Sequence, residues 1–146
     1  PEALQPFILS YKASTMALVA GETLKLSLIS KSFKLFETAI QKYGAVHYLP
    51  EFMRGSVAEN LPWFYFSKRA LAKIDFENII RKQAQQPEYA SWKIMSFVYW
   101  AWAKQHPQRK YRSQALAYLQ KAIELDPHYL AGRKRSEELM ACYSLK

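Results

Sequence analysis

Residues 114–127 read QALAYLQKAIELDP. Ala115 and Ala122 stand seven residues apart with aliphatic side chains between them, and Pro127 closes the run. Helices that pack closely in antiparallel pairs need small residues where the backbones approach and larger residues to fill the grooves between them. The stretch therefore predicts a helix that packs tightly against its neighbour and stops at Asp126, where the chain turns back.

The composition favours helices along the whole chain. Half of the 146 residues are hydrophobic, which is enough for a domain with a proper core, and only four are glycine. So few glycines do not supply the turns of a β-sandwich or barrel, whereas residues that favour helices are abundant. We predict an all-α fold of about seven helices, over residues 6–20, 24–43, 48–60, 76–86, 88–105, 112–125 and 129–143, with a short imperfect helix in 62–73.

Specific residues are expected to end or begin these helices. Gly21 and Gly44 are predicted to stop the first and second helices. Asp75 is predicted to cap the helix that starts at Phe76, and Pro87 to close that helix. These positions divide the chain into segments joined by short loops.

The opening stretch resembles the second helix of a tetratricopeptide repeat, a helix pair with a period of about 34 residues. Tyr99, Trp102 and Ala103 stand where that repeat places its first-helix aromatic, large apolar and small residues, whereas His106 replaces the usual aromatic. Residues 96–129 would form one whole repeat. The resemblance implies an α-α superhelix, a right-handed TPR-like array.

Residues 6–82 also resemble a group of little-characterised bacterial tetratricopeptide-like proteins. The likeness rests on YKASTMALVA, on FETAI and on YLPEFMRGSVAENLPWF, followed by the helix at Asp75. Arg54, the Asn-Leu-Pro break at 60–62 and Asp75 belong to that pattern, and Gly44 departs from it by replacing the usual Pro-Asn turn. The resemblance implies a fold and no established activity.

The predicted domain organisation follows from a similarity between two segments of the chain. Phe36 and Ala39 hold the same relative places as Leu119 and Ala122, but Ala39 and Ala122 are separated by a distance that is not a multiple of the repeat. We therefore predict a single helical-repeat domain over residues 1–146. It would comprise irregular helices in 6–60, an insertion in 61–87, and a C-terminal repeat with a capping helix in 88–146.

Charge and cysteine content set broad limits on partners and compartment. The net charge is +9, and the basic excess is spread over both halves, although residues 89–123 contain no acidic residue. Cys142 is the single cysteine, so no intramolecular disulfide can form. No apolar stretch has the length of a membrane helix. A cytoplasmic location is expected, and the start at Pro1 leaves open a processed form or a fragment.

The side chains suggest no catalytic machinery. His47, His106 and His128 fall in different elements, and none is spaced with another ligand as a metal clamp. Cys142 has no evident histidine partner, and no glycine-rich phosphate loop occurs. We expect a protein that is not an enzyme and that uses no metal or cofactor.

The segment NLPWFYFSKR, residues 60–69, carries the sharpest binding hypothesis. Four consecutive aromatic residues, 63–66, cannot all face one core. Exposed aromatics beside basic residues would suit a peptide or acidic partner, because Trp, Tyr and Arg concentrate binding energy. The favoured alternative is that the segment wraps a helix end and buries all four rings. The predicted contact set is Trp63, Tyr65, Lys68, Arg69, Lys93 and Tyr99.

Arg54 has a predicted structural role. A guanidinium among apolar residues is costly without a partner, so pairing with Asp75 or Glu59 is expected. Ala115, Ala122 and Pro127 complete the predicted structural set.

Three functions remain open. The preferred one is a scaffold whose concave face binds a protein or peptide. A nucleic-acid or anionic-surface binder would instead use basic residues within 93–135, chiefly Arg109, Lys110, Arg112 and the run 133–135, and would weaken steeply with salt. A structural subunit of an oligomer would use the helix at 88–105, which is apolar on two sides.

Overall fold

Helices supply the regular secondary structure of the chain. The computed structural model describes residues 1–145, and within them it contains no strand, which confirms the all-α class. No helix in this range is both long and apolar enough to cross a bilayer. The helices are α1 Gln5–Thr23, α2 Ser27–Tyr43, α3 Leu49–Asn60, the single turn α4 Phe66–Arg69, α5 Leu71–Gln85, α6 Trp92–Gln105, α7 Arg112–Leu125 and α8 Arg133–Ser144.

The chain divides into two compact units, Pro1–Asp75 and Phe76–Lys146, and the boundary falls inside α5. In the first unit α1 packs against α2 and α3, and α2 packs against α3. The Ser32 hydroxyl donates a hydrogen bond of 2.7 Å to the Ala13 carbonyl, because the small side chain at Ala13 lets α1 and α2 approach closely. Phe36 and Ala39, which match Leu119 and Ala122 in the internal sequence similarity, are completely buried.

In the second unit α6 and α7 form an antiparallel pair. The Ser96 hydroxyl, near the start of α6, donates to the carbonyl of Ala122, near the end of α7, at 2.8 Å. Ala115 and Ala122 are completely buried, as expected where two backbones approach. His106 stacks on the Trp102 indole with ring centroids 3.9 Å apart.

The last helix, α8, returns alongside α6. The guanidinium of Arg112, at the start of α7, donates to the carbonyl of Tyr143, at the end of α8, so these two helices are antiparallel. The Tyr143 hydroxyl in turn lies 3.4 Å from the carbonyl of Ala103, near the end of α6. Helices α6 and α8 therefore run parallel, with α7 packed against both.

Asp126 holds the turn between α7 and α8. Its buried carboxylate accepts hydrogen bonds from the backbone N–H groups of Leu130, Ala131 and Arg133. Burial alone would raise the pKa of Asp126, but these donors outweigh it and hold the pKa below its ordinary value. The same bonds fix residues 127–132 in a turn, and Tyr129 adopts a left-handed conformation with φ 57°. The prediction that the last helix starts at Tyr129 is therefore wrong.

Three other predicted helix limits are corrected. α1 continues through Gly21 to Thr23, because one glycine near a helix end weakens the helix without stopping it. α6 begins at Trp92, where the Ser91 hydroxyl accepts from the Ile94 N–H at 3.5 Å. α5 begins at Leu71, so Asp75 lies inside a helix and is not its cap.

Candidate binding groove of the first unit

An apolar groove of about 740 Å³ lies in the first unit. The C-terminal half of α1, the connection to α2, one face of α3 and the segment that follows α3 form its walls. We call this feature the first-unit groove. Its lining residues are Ser14, Ala17, Leu18, Ala20, Gly21, Glu22, Leu24, Leu26, Ile29, Phe52, Met53, Ser56, Val57, Asn60, Leu61, Pro62, Phe64 and Tyr65.

Large apolar side chains at the groove remain open to solvent. The exposed fraction is 67% for Leu18, 80% for Leu24 and 50% for Phe64. Contiguous exposed apolar surface on a protein marks a binding site more often than scattered single residues do. These side chains give the groove an apolar rim as well as an apolar floor.

Leu24 stands at the rim in a strained backbone conformation. It terminates α1 with φ 57° and ψ 20°, in the left-handed region where glycine is usual. A residue with a Cβ in this region costs about 1–2 kcal/mol. Strain of this kind at a solvent-exposed leucine gains the fold no burial, so it points to a role for the side chain at the groove.

The segment after α3 is anchored by Arg69. Its guanidinium donates to the carbonyl of Glu59 at 3.1 Å and also to the carbonyl of Leu61, where α3 ends. A cation is favourable at a helix C-terminus because the last carbonyls lack helical partners. Arg69, a predicted contact residue, thus holds the wall of the groove that Phe64 and Tyr65 belong to.

The expected burial of all four aromatic residues at 63–66 is wrong. Trp63 is 81% exposed and Phe66 76% exposed, whereas Tyr65 is half-buried. Residues Trp63–Tyr65 form one 3-10 turn that leads into α4, so consecutive side chains point in different directions and only part of the set meets the protein. Phe64 and Tyr65 line the groove, and the Trp63 ring contacts Phe64 edge-on at 5.9 Å.

The other predicted contact residues lie elsewhere. The Lys68 ammonium is 5.9 Å from the centroid of the Phe33 ring, still within the first unit. Lys93 and Tyr99 belong to the second unit, where Lys93 lies over the Trp92 ring and the Tyr99 ring packs against Tyr118 at 5.0 Å. The predicted set therefore divides between the units. Lys68 and Arg69 both contact other residues of the first unit. Of the six predicted contact residues, Tyr65 is the one that lines the groove.

Arg54 is paired with Asp75, one of the two partners expected for it. The guanidinium donates twice to the carboxylate, at 2.8 and 2.7 Å, and the Asp75 side chain is completely buried. Burial would lower the pKa of Arg54, but the hydrogen bonds and charge of Asp75 outweigh that effect and raise it. The pair ties α3, which supplies one wall of the groove, to the N-terminal part of α5.

Most groove residues were not singled out from the sequence. Leu24 and Leu26 flank Lys25 in a connection, where turns usually carry Gly, Asn, Asp or Ser. Residues 16–20 of α1 are all apolar, and five consecutive helical positions cannot all lie on a single apolar stripe. Apolar residues in a turn and beyond a helical stripe are the signals that predict this groove.

Within residues 1–145, no group of three or more His, Cys, Asp and Glu side chains is arranged to hold a metal ion. His47, His106 and His128 lie in three different connections between helices, and Cys142 is exposed on α8. Comparison with known proteins yields no matching protein-family model, no similar curated protein and no similar solved structure.

Proposed function

We propose that this chain is a non-catalytic, TPR-like helical-repeat protein whose first-unit groove binds an apolar segment of a peptide or protein partner. The observation that carries the proposal is the exposure of Leu18, Leu24 and Phe64 around one continuous apolar groove. Removing such surface from water contributes about 25 cal/mol for each Å² buried. A partner that covers the groove gains this contribution directly, because the apolar side chains are already exposed in the folded protein.

The solvent exposure of Leu18 and Leu24 favours a peptide over a small molecule as the ligand. Small-molecule sites are concave and bury most of the surface of their ligand. Leu24 and Leu18 are instead mostly exposed at the rim, where only a chain that extends across the groove would cover them. Peptide recognition by apolar grooves uses a few large anchoring side chains, which the floor formed by Phe52, Met53 and Val57 would receive.

The lining chemistry supports a binding role without catalysis. Glu22 is the one carboxylate among the lining residues, and it has no histidine, cysteine or lysine beside it in that lining. Acid–base and nucleophilic mechanisms need at least two such groups within hydrogen-bond reach of each other. The hydroxyls and amide present, those of Ser14, Ser56, Tyr65 and Asn60, suit hydrogen bonds to a peptide backbone.

The TPR-like part of the proposal rests on the second unit. Two antiparallel helices, α6 and α7, are followed by a third that runs parallel to the first, as in one helix-pair repeat and the start of the next. Ala115 and Ala122 lie at the close approach of the pair. Asp126 and Pro127 form the turn that sends the chain back.

The direct test is selection of peptides from a random display library on the immobilised protein, followed by titration of the synthesised peptides. We expect the enriched peptides to share two or more large apolar residues. Leu18→Gln should weaken their binding by about tenfold or more, because burial of one leucine contributes about 1.5–3 kcal/mol. The matched control is Ile8→Gln, on the same helix, since Ile8 is also half-exposed but lies outside the groove.

Three outcomes would contradict the proposal. The first is that no peptide is enriched. The second is equal weakening by Leu18→Gln and Ile8→Gln, which would indicate that apolar surface binds anywhere on α1. The third is a doubled solution mass of the wild-type protein that Leu18→Gln returns to that of a monomer, which would make a second copy of this chain the occupant of the groove.

A further inference from the structure

Arginines lie over aromatic rings in the described part of the second unit. A guanidinium stacked on an aromatic ring gains cation–π attraction through its flat face. Its N–H donors lie in the guanidinium plane, so they stay available for hydrogen bonds to a ligand. Such an arginine is held in place before any ligand arrives. The pairs are Arg112 over Tyr143 at 5.9 Å, Arg133 over Tyr129 at 4.3 Å, and Arg135 over Trp100 at 4.9 Å and Phe97 at 5.6 Å.

Two of these three arginines also have an oxygen acceptor. Arg133 donates from Nε to the carboxylate of Glu137 at 2.8 Å. Arg112 donates to the backbone carbonyl of Tyr143. Arg135 differs: among residues 76–145 its guanidinium contacts rings, and neither a carboxylate nor a carbonyl accepts from it.

The geometry points to Arg135 as a binding site for a carboxylate of an acidic peptide, supported by Trp100 and Lys104. The Lys104 ammonium lies 5.1 Å from the centroid of the same indole, so cations from α6 and α8 converge on one ring. Arg133 shows the completed arrangement within this protein, with a ring on one side and Glu137 as the carboxylate. At Arg135 the partner would supply the carboxylate. This inference is independent of the first-unit groove.

The surroundings favour a carboxylate over a nucleic acid. Single-stranded nucleic acids bind through open aromatic faces on which bases stack, together with a row of cations along the backbone. Here cations already lie over Trp100. In the basic run 133–135, Glu137 neutralises Arg133, which leaves Lys134 and Arg135 as exposed cations. A planar guanidinium fork matches a carboxylate with two parallel hydrogen bonds.

The test follows the Arg135 Nε–H resonance by NMR of the full chain during titration with hexaglutamate, at about 50 mM salt where charge pairing is weakly screened. Absence of the peak in Arg135→Gln assigns it. We expect a saturable shift of this resonance in the wild type. Because the Arg135 variants lack the Nε–H, the affinities of all variants are read from the backbone amide shifts of residues 133–137. The apparent affinity should be about tenfold weaker in Arg135→Gln and should change by less than about twofold in Lys134→Gln. Lys134→Gln is the matched control, because it removes the same charge from the adjacent exposed position. Arg135→Lys should recover only part of the affinity, since an ammonium lacks the fork.

Other results would overturn the site. Equal weakening in Arg135→Gln and Lys134→Gln would show that net charge alone attracts the peptide. Tighter binding of hexauridylate than of hexaglutamate, with the same resonance shifting, would make this a nucleic-acid site. No saturable shift with hexaglutamate would leave Arg135 as a solvated surface residue. Amide spectra and thermal unfolding of each variant report whether the fold is retained.

Discussion

The Arg54 guanidinium and the Asp75 carboxylate form a two-pronged ion pair that links α3 to α5, with donor–acceptor distances of 2.8 and 2.7 Å. Asp75 is completely buried and the Arg54 side chain is 13% exposed. A buried charge is tolerated when it is paired and hydrogen-bonded, and it becomes costly when its partner is removed. The pair therefore fixes how the wall formed by α3 meets the start of α5.

Arg54→Met should destabilise the protein by about 3–5 kcal/mol, because it removes the cation of a buried, doubly hydrogen-bonded ion pair while the Asp75 carboxylate stays buried. Urea unfolding of wild-type and variant proteins measures this difference. Arg54→Met combined with Asp75→Leu should recover much of the loss, since both charges are then absent. The control, exposed Lys73→Met, should change stability by less than about 0.5 kcal/mol. A loss below about 1 kcal/mol in Arg54→Met would show that the pair is dispensable.

Two glycines should respond to alanine in opposite directions. A Cβ at Gly132 would lie 2.4 Å from the Ser96 carbonyl oxygen, whereas a Cβ at Gly21 would meet no atom within 4 Å. Gly132→Ala must push the turn before α8 away from α6, at a cost of about 2 kcal/mol. Gly21→Ala should stabilise by up to about 1 kcal/mol, because alanine favours the helix. Thermal and urea unfolding of the two variants measure both effects, and equal behaviour would contradict this packing.

His47 should contribute to the decrease in the free energy of unfolding at acidic pH. Its Nδ1 accepts a hydrogen bond from the Leu49 N–H at 3.1 Å, and its ring contacts the Phe7 ring edge-on and stacks on the Tyr48 ring. Burial lowers the pKa of His47 from its ordinary 6.5, so the unfolded chain takes up this proton at a higher pH than the folded chain. The contribution of His47 to the free energy of unfolding should therefore be fully present above pH 6.5. It should be lost as the pH falls from 6.5 towards the lowered pKa of the folded state.

Unfolding free energies measured between about pH 5 and pH 7 check this expectation. The slope of stability against pH should be smaller in His47→Gln than in the wild type, because the titrating ring is gone. An identical slope in the two proteins would mean that other groups produce the decrease at acidic pH and that His47 does not contribute to it.

The sequence predicted helix type well because periodicity and composition are local properties. Ala115 and Ala122 marked a close helix–helix approach, and Pro127 marked the end of α7, from residues within one stretch. The charge of Arg54 among apolar neighbours also predicted a carboxylate partner, and of the two candidates, Asp75 and Glu59, Asp75 is paired with it. These features depend on side chains whose cost or benefit is fixed by residue type alone.

What the sequence did not reveal depends on contacts between distant segments. Asp75 looked like a helix cap, but it lies inside α5, and its side chain pairs with the distant Arg54. The groove joins residues of α1 and α3, and no local pattern aligns Leu18 with Phe52 or Val57. Trp63 and Phe66 are exposed because side chains along the 3-10 turn and the start of α4 point in different directions, so only part of the aromatic set meets the protein. Turn conformation of this kind is set by tertiary contacts such as the Arg69 anchor.

Leu24 offers a substitution that separates binding from stability. Leu24→Gly should stabilise the protein by about 0.5–1 kcal/mol, because glycine adopts the left-handed conformation without strain and this gain exceeds its extra entropy cost. The same change removes the most exposed of the apolar side chains that line the groove. A variant that is more stable and binds less cannot be explained by partial unfolding.

The most direct measurement is therefore the dissociation constant of a library-selected apolar peptide for wild-type protein and for Leu24→Gly, by calorimetric titration beside urea unfolding of both. The proposed function predicts binding weakened by about tenfold in a variant that unfolds at higher urea. Unchanged peptide affinity in the stabilised variant would contradict it, because the strained leucine would then serve no partner in the groove.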